Sequence, residues 1–179
     1  MATPEQVQEL SDKMRDARTA LIGALDGMSE QRAELRQAEA DGEDGWSVKE
    51  QLSHLAAVET TYRAWVQRAL TEDRPDLSQG TEPDPAAYPL EEAQQHTLAE
   101  HVGELNTQRD HTLELMSTIA PGDYERTAQS PAFGELTVMK WLRSYRHHDR
   151  MHLAQIEGRE SEYQPRDLSG EEPDQRGRG

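Results

Sequence analysis

The sequence predicts an all-α fold, a four-helix bundle with a long crossover between its second and third helices. Two observations lead there: apolar residues recur at steps of three and four in four separate segments, and no segment shows a credible strand pattern. A third concerns the connections. The long proline-, glycine- and acid-rich stretch between the second and third segments is long enough to travel the length of a helix.

The first segment carries Val7, Leu10, Met14, Ala17, Leu21, Leu25 and Met28 as one stripe. Thr3 or Pro4 opens this helix, which is expected to run to about Ala38, where the acidic, glycine-containing run DGEDG breaks it. Ser47-Val48-Lys49-Glu50 reads as a capping box starting the second helix, with Val48, Leu52, Leu55, Val58, Tyr62, Trp65 and Leu70 on its stripe. His54 sits one and a half turns in. From Thr71 to about Tyr88 the chain has no helical period. Eighteen residues at about 3.3 Å each reach about 60 Å, so the third helix is free to run parallel to the second.

Pro89 to Met116 forms the third helix, with the least regular stripe: Leu90, Ala93, Thr97, Val102, Leu105, Leu113 and Met116. After a segment with two prolines and two glycines, the fourth helix starts near Glu135. Its stripe holds Leu136, Val138, Met139, Leu142, Tyr145, His148, Met151, His152, Gln155 and Ile156, and Gly158 ends it. Residues 1–158 thus form one bundle domain. The polar remainder, 159–179, is nearly devoid of large aliphatics, and at least its last dozen residues are expected to be disordered.

Composition narrows what the bundle can do. At 179 residues the chain fits one domain with a modest core. It has no cysteine, which removes disulfides, zinc ribbons and a cysteine nucleophile and leaves His, Asp and Glu as protein ligands. The formal net charge of -16, from 35 acidic against 19 basic residues, repels phosphate backbones and anionic lipid, so neither nucleic acid nor membrane is an expected partner. The N-terminus lacks the pattern of a signal peptide and no stretch is apolar enough to span a bilayer, so a cytoplasmic protein is expected.

Histidines carry the chemistry. His148 and His152 are four apart on a helix and share a face, an incomplete ligand pair for a first-row metal. His54 is the best third candidate, and three imidazoles would leave a position for water or substrate. Gln51 and Thr61 fall near the face of His54, Tyr145 and Gln155 near that of His148 and His152, as candidates for supporting the ligands or touching substrate. His147 lies about 100° around the helix from His148 and is expected at the surface or behind the ligands. His96, His101 and His111 do not stack on one face and read as ordinary surface or partly buried residues; Glu100 with His96 has ligand spacing but no third partner. Arg146 and Arg150, beside the pair, read as solvent-facing partners of the surrounding acids. Trp46, Trp65 and Trp141 read as core anchors.

The G-W-S-V-K-E-x-L-x-H-L start of the second helix, with a late G-E-L-T-V and H-D-R-M-H-L-A-Q-I, resembles the DinB-like superfamily, which also contains bacillithiol and mycothiol transferases. The resemblance spans roughly Thr3 to Gly158. It implies a four-helix bundle and a divalent metal, zinc or nickel, held by His54, His148 and His152. It further implies a small-molecule substrate, a metal-dependent thiol transferase or hydrolase reaction, a low-molecular-weight thiol as cosubstrate for the former, and a homodimer. The alternative is a non-catalytic, stress-responsive bundle in which the metal is structural.

Overall fold

The structure, a computed structural model, describes residues 1–36, 45–130 and 133–162. α1 covers Pro4–Gly23. The Thr3 hydroxyl accepts from Gln6 N at 3.3 Å and the Gln6 side chain accepts from Thr3 N at 2.9 Å, a capping box, with Pro4 placed where a helix has no N–H to lose. The helix then stops short of the expected Ala38. Gly27 takes φ 73°, a left-handed conformation costly to residues with a Cβ, and Ser29 caps the short α2, Glu30–Glu34. Leu21 and Leu25 are buried on either side of helix end, so one stripe reads through two elements. Ala38 and residues 41–44 of the DGEDG run lie outside the described residues.

Gly27→Ala is therefore expected to lose about 1–2 kcal/mol in urea unfolding, from forcing a Cβ into that conformation. Gly103, inside α4 (Leu98–Thr118) with open space around its missing Cβ, gives the opposite sign. Gly103→Ala should gain about 0.5–1 kcal/mol. Equal signs for the two would contradict the left-handed conformation at Gly27 and the helical one at Gly103.

α3 spans Val48–Thr71 and starts as expected. Ser47 N donates to Glu50 Oε2 at 2.9 Å and Glu50 N to Ser47 Oγ at 3.3 Å. The third helix differs. Leu90–Gln95 is a separate 3₁₀ turn, and α4 begins only at Leu98, because Thr97 and Glu100 form a capping box of their own, with Thr97 N donating to Glu100 Oε2 at 2.7 Å. Glu100 is thus a cap. His101 is not a surface residue but fully buried, its Nε2 2.9 Å from the Ala93 carbonyl.

The absence of strands is also corrected. β1 (Thr127–Ser130) and β2 (Gly134–Thr137) form an antiparallel pair with Thr127 opposite Thr137 and Ser130 opposite Gly134. The last helix, α5, therefore begins at Val138, not Glu135, with Thr137 Oγ1 accepting from Lys140 N at 3.2 Å. It ends at Ile156, with Gly158 at φ 69° as expected. Of the tail expected to be disordered, 159–179, residues 163–179 lie outside the described residues.

Core contacts give the helix directions. At one end Leu10 and Met14 of α1 cluster with Val66 and Ala69 of α3, Met116 of α4 and Trp141 of α5; at the other Leu21 meets Leu52, Leu55, Leu105 and Leu153. So α3 and α4 run parallel, and α1 and α5 run together against them. Only a connection as long as the bundle can join two parallel neighbours, and the crossover does so. Its first part is tied to the hairpin, Leu77 N donating to Gln129 O at 2.8 Å, and its last part to the start of α3, Gln94 Nε2 donating to Ser47 Oγ at 2.6 Å. No helix among the described residues is long and apolar enough to cross a membrane.

Between the apolar clusters lies a buried ionic network with one member from each long helix. Arg18 grips Asp149 through Nε at 3.2 Å and Nη2 at 2.9 Å and reaches Glu59 Oε2 at 2.7 Å. Arg109 donates to Glu59 Oε1 at 2.9 Å and Asp149 Oδ2 at 3.0 Å, and Thr112 Oγ1 donates to Glu59 Oε1 at 2.9 Å. All four charged residues are at most 3% exposed. Burial alone would raise the Glu59 carboxyl, but Arg18 and Arg109 outweigh it and hold it below its ordinary value.

Candidate metal centre

α3 and α5 run antiparallel, so His54 near the start of α3 faces His148 and His152 near the end of α5. The His148 Nε2 lies 3.2 Å from that of His54 and 3.1 Å from that of His152. One donor atom from each ring falls within 4.8 Å of the others, and among the described residues this is the group of three ligand-type side chains so gathered. His152 is fully buried and the other two half-buried.

Ring chemistry tests whether such a cluster suits an ion. A ring nitrogen carries either a proton or a lone pair, so His148 Nε2 cannot satisfy both neighbours as a hydrogen bond. His152 is more constrained. Gln51 Nε2 donates to the Trp46 carbonyl at 3.3 Å, which orients the amide so that its oxygen lies 3.3 Å from His152 Nδ1. An oxygen there can only accept, so His152 carries its proton on Nδ1 and turns a bare Nε2 to the cluster. A shared cation would satisfy the converging lone pairs. Two nitrogens about 2.0–2.1 Å from one ion stand about 2.9 Å apart at a right angle and about 3.3 Å apart at the tetrahedral angle, a window containing both observed separations.

Electrostatics agree with neutral ligands. Burial lowers His54 to about 4. It lowers His152 to about 3, with His54 adding to the effect, and puts His148 well below the ordinary histidine value, with its two partners contributing. Imidazole binds metal only when neutral, so these rings need not shed a proton at neutral pH first.

The remaining expectations divide. Gln51 and Gln155 both lie against His152. Thr61 does not turn to the site, its hydroxyl donating to its own helix at Ala57 O, 3.0 Å. Tyr145 shares the ligand face of α5, with a buried hydroxyl that has no hydrogen-bond partner among the described residues. His147 is half-buried, outside the trio, and lowered to about 4 by burial and then Arg146 and Arg150. Arg150 does pair with an acid, Glu162, at 3.0 Å. Arg146, expected in solvent, is buried at 8% exposure. Trp141 is a core anchor at 0% exposure, whereas Trp65 and Trp46 are half-buried, and Trp46 packs its ring 4.9 Å from that of His54. The network of Arg18, Glu59, Arg109 and Asp149 was not foreseen. Its signal was present, since Arg18 and Glu59 interrupt the apolar stripes of their helices.

The chain resembles known proteins along most of its length. It is 24% identical over 151 residues to the YuaE protein of Bacillus subtilis strain 168, covering 79% of this chain and 91% of that one. Among solved structures, YfiT from Bacillus subtilis superposes with a TM-score of 0.70 at 19% identity, over 88% of this chain and 87% of YfiT. YfiT is described as a probable metal-dependent hydrolase with an unusual four-helix bundle topology. A protein of Clostridium difficile 630 matches with a TM-score of 0.62 at 13% identity, over 85% of this chain and 94% of that one. The sequence profile of the DinB superfamily matches residues 13–156, a span that contains all three converging histidines and the ionic network behind them, and the chain belongs to that superfamily.

Proposed function

We propose that this protein is a metal-dependent enzyme acting on a small molecule, with His54, His148 and His152 holding one divalent ion, zinc or nickel. The observation that carries the reading is the meeting of three neutral imidazoles, with His148 Nε2 3.2 Å from that of His54 and 3.1 Å from that of His152, two approaches that one ring nitrogen cannot both satisfy as hydrogen bonds. Three protein donors are the set that catalytic sites use, whereas structural sites are closed by four. That favours an enzyme over a bundle whose metal is only structural. An ion held there supplies Lewis acidity, acidifying a water or a low-molecular-weight thiol enough for either to act as nucleophile near neutral pH.

The protein's own contribution is orientation. Gln51 fixes the His152 tautomer, Trp46 packs against His54, and the ionic network next to His148 holds α5 in register with the other three long helices. Hydrolysis stands first, because the bundle shares its fold with a probable metal-dependent hydrolase, and transfer to a thiol second.

Elemental analysis of tag-free protein tests the site. Near one divalent ion per chain is expected, lost in both His54→Ala and His148→Ala, together with metal-dependent turnover in a panel of esters and amides, or of electrophiles with thiols. No bound ion after incubation with zinc, nickel and manganese would overturn the proposal.

A further inference from the structure

The chain is poor in aromatic residues, with one Phe, three Trp and five Tyr, and six of these nine lie on one run of ring contacts that meets the histidine cluster at Trp46 and Tyr62. Residues 54, 62 and 65 share a face of α3, and residues 141, 145, 148 and 152 a face of α5, so the seam that holds the histidines continues as rings. The Tyr62 ring lies 6.4 Å from that of His148. Tyr62 stacks on Trp65 at 5.2 Å with planes 25° apart, and meets Tyr145 edge-on at 5.6 Å. Trp65 meets Trp141 at 4.9 Å, and Trp141 meets Phe133 at 5.9 Å. On the opposite side Trp46 stands against His54.

Burial separates these rings by role. Trp141 and Tyr145 are 0% and 3% exposed and belong to the core. Tyr62 and Trp65, directly in front of them, are only partly buried. A stacked pair left partly open beside the imidazoles presents a flat apolar face, backed by fixed rings that keep it from collapsing.

We propose that Tyr62 and Trp65 form the wall against which an aryl group of the substrate packs while the substrate's polar end reaches the His54, His148 and His152 site. The inference rests on the metal-dependent reading above and specifies its substrate class. An aryl group fits better than an alkyl group because offset-stacked and edge-to-face contacts, the geometries already found among these rings, reward a flat π-system beyond the area it buries. A cationic group would also gain from the ring faces, but it would be repelled by a divalent ion alongside.

Three hydroxamates that share one chelating group test the wall: acetohydroxamate, cyclohexanecarbohydroxamate and benzohydroxamate, titrated calorimetrically into the zinc-loaded full-length protein. Benzohydroxamate should bind about tenfold tighter than acetohydroxamate and tighter than the cyclohexyl compound. In Tyr62→Leu and Trp65→Leu the ratio of phenyl to cyclohexyl affinity should fall to about one. Cyclohexyl binding as tight as phenyl in the unmodified protein would overturn the wall, as would an unchanged ratio in both variants at full zinc content. The comparison in the unmodified protein decides even if a variant does not fold. Binding of all three without aryl preference rejects the wall alone, whereas no binding of any to the zinc-loaded protein rejects the open metal site on which it rests.

Discussion

Asp149→Asn is expected to destabilise the metal-free protein by about 3–5 kcal/mol, the largest loss expected of any single conservative replacement here. Asp149 is 1% exposed and accepts from both Arg18 and Arg109; without its charge, two buried guanidiniums share Glu59 alone. The isosteric change leaves packing nearly intact, so the loss reports the uncompensated charge rather than a cavity. Chelator in the buffer keeps metal binding at the neighbouring His148 out of the measurement. Arg150→Ala supplies the contrast, since its 3.0 Å bond to Glu162 joins two exposed side chains and is worth less than about 1 kcal/mol. Charge balance also predicts non-additivity: Arg109→Met combined with Asp149→Leu leaves Arg18 paired with Glu59 and should cost clearly less than the sum of the two singles. Urea unfolding followed by far-ultraviolet circular dichroism measures all five variants against the unmodified protein. A loss under about 1 kcal/mol for Asp149→Asn would show that the network is not the fastener its geometry implies.

How much of this was legible from residues alone depended on the range of the interaction. Local signals were read correctly where one residue pair decides, as at the Ser47–Glu50 box that starts α3 and at Gly158 beyond α5. Two of the three misplaced helix boundaries arise from stripes that outlast their helices: Leu25 stays buried after α1 has ended, and Ala93 is buried in a 3₁₀ turn. The Thr97-to-Glu100 box is present in the sequence, but there Glu100 also stands four residues from His96, a spacing that reads as a ligand pair. The hairpin was missed because each strand has four residues and its pairing is fixed by a partner strand, not by its own pattern. At the site, the histidines were found because their spacing matches a helix and a known motif. The ionic network was passed over because Arg18, Glu59, Arg109 and Asp149 are distant in sequence, and each alone reads as surface charge. Charges inside an apolar stripe were the available warning.

Acidification is expected to unfold the metal-free protein well above the range where carboxylates titrate, and zinc is expected to oppose it. Burial lowers His54 to about 4 and His152 to about 3 in the folded protein, and lowers His148, His147 and His101 as well. In the unfolded chain these rings return to about 6.5, so below that pH the unfolded state binds more protons. Stability is therefore fully present above about pH 6.5 and is lost as the pH falls toward the folded values. Between pH 6.5 and 5 each such ring contributes a loss of at most about 2 kcal/mol, and a total of about 4 kcal/mol or more would remove much of the stability of an ordinary domain. Zinc binds only the neutral rings of the folded state, so at a thousandfold excess over its dissociation constant it should restore about 4 kcal/mol and move the midpoint of acid unfolding to lower pH. His152→Gln separates the two effects. It should flatten the slope of stability against pH by about one proton and also abolish the zinc shift, because the ring is a buried neutral group and, in the proposed site, a ligand as well. His147→Gln should flatten the slope and leave the zinc shift in place, since His147 stands outside the converging trio. A zinc shift that survives His152→Gln would remove that ring from the ligand set, and a metal-free protein equally stable at pH 7.5 and 5.0 would mean that these histidines are not held neutral by the fold.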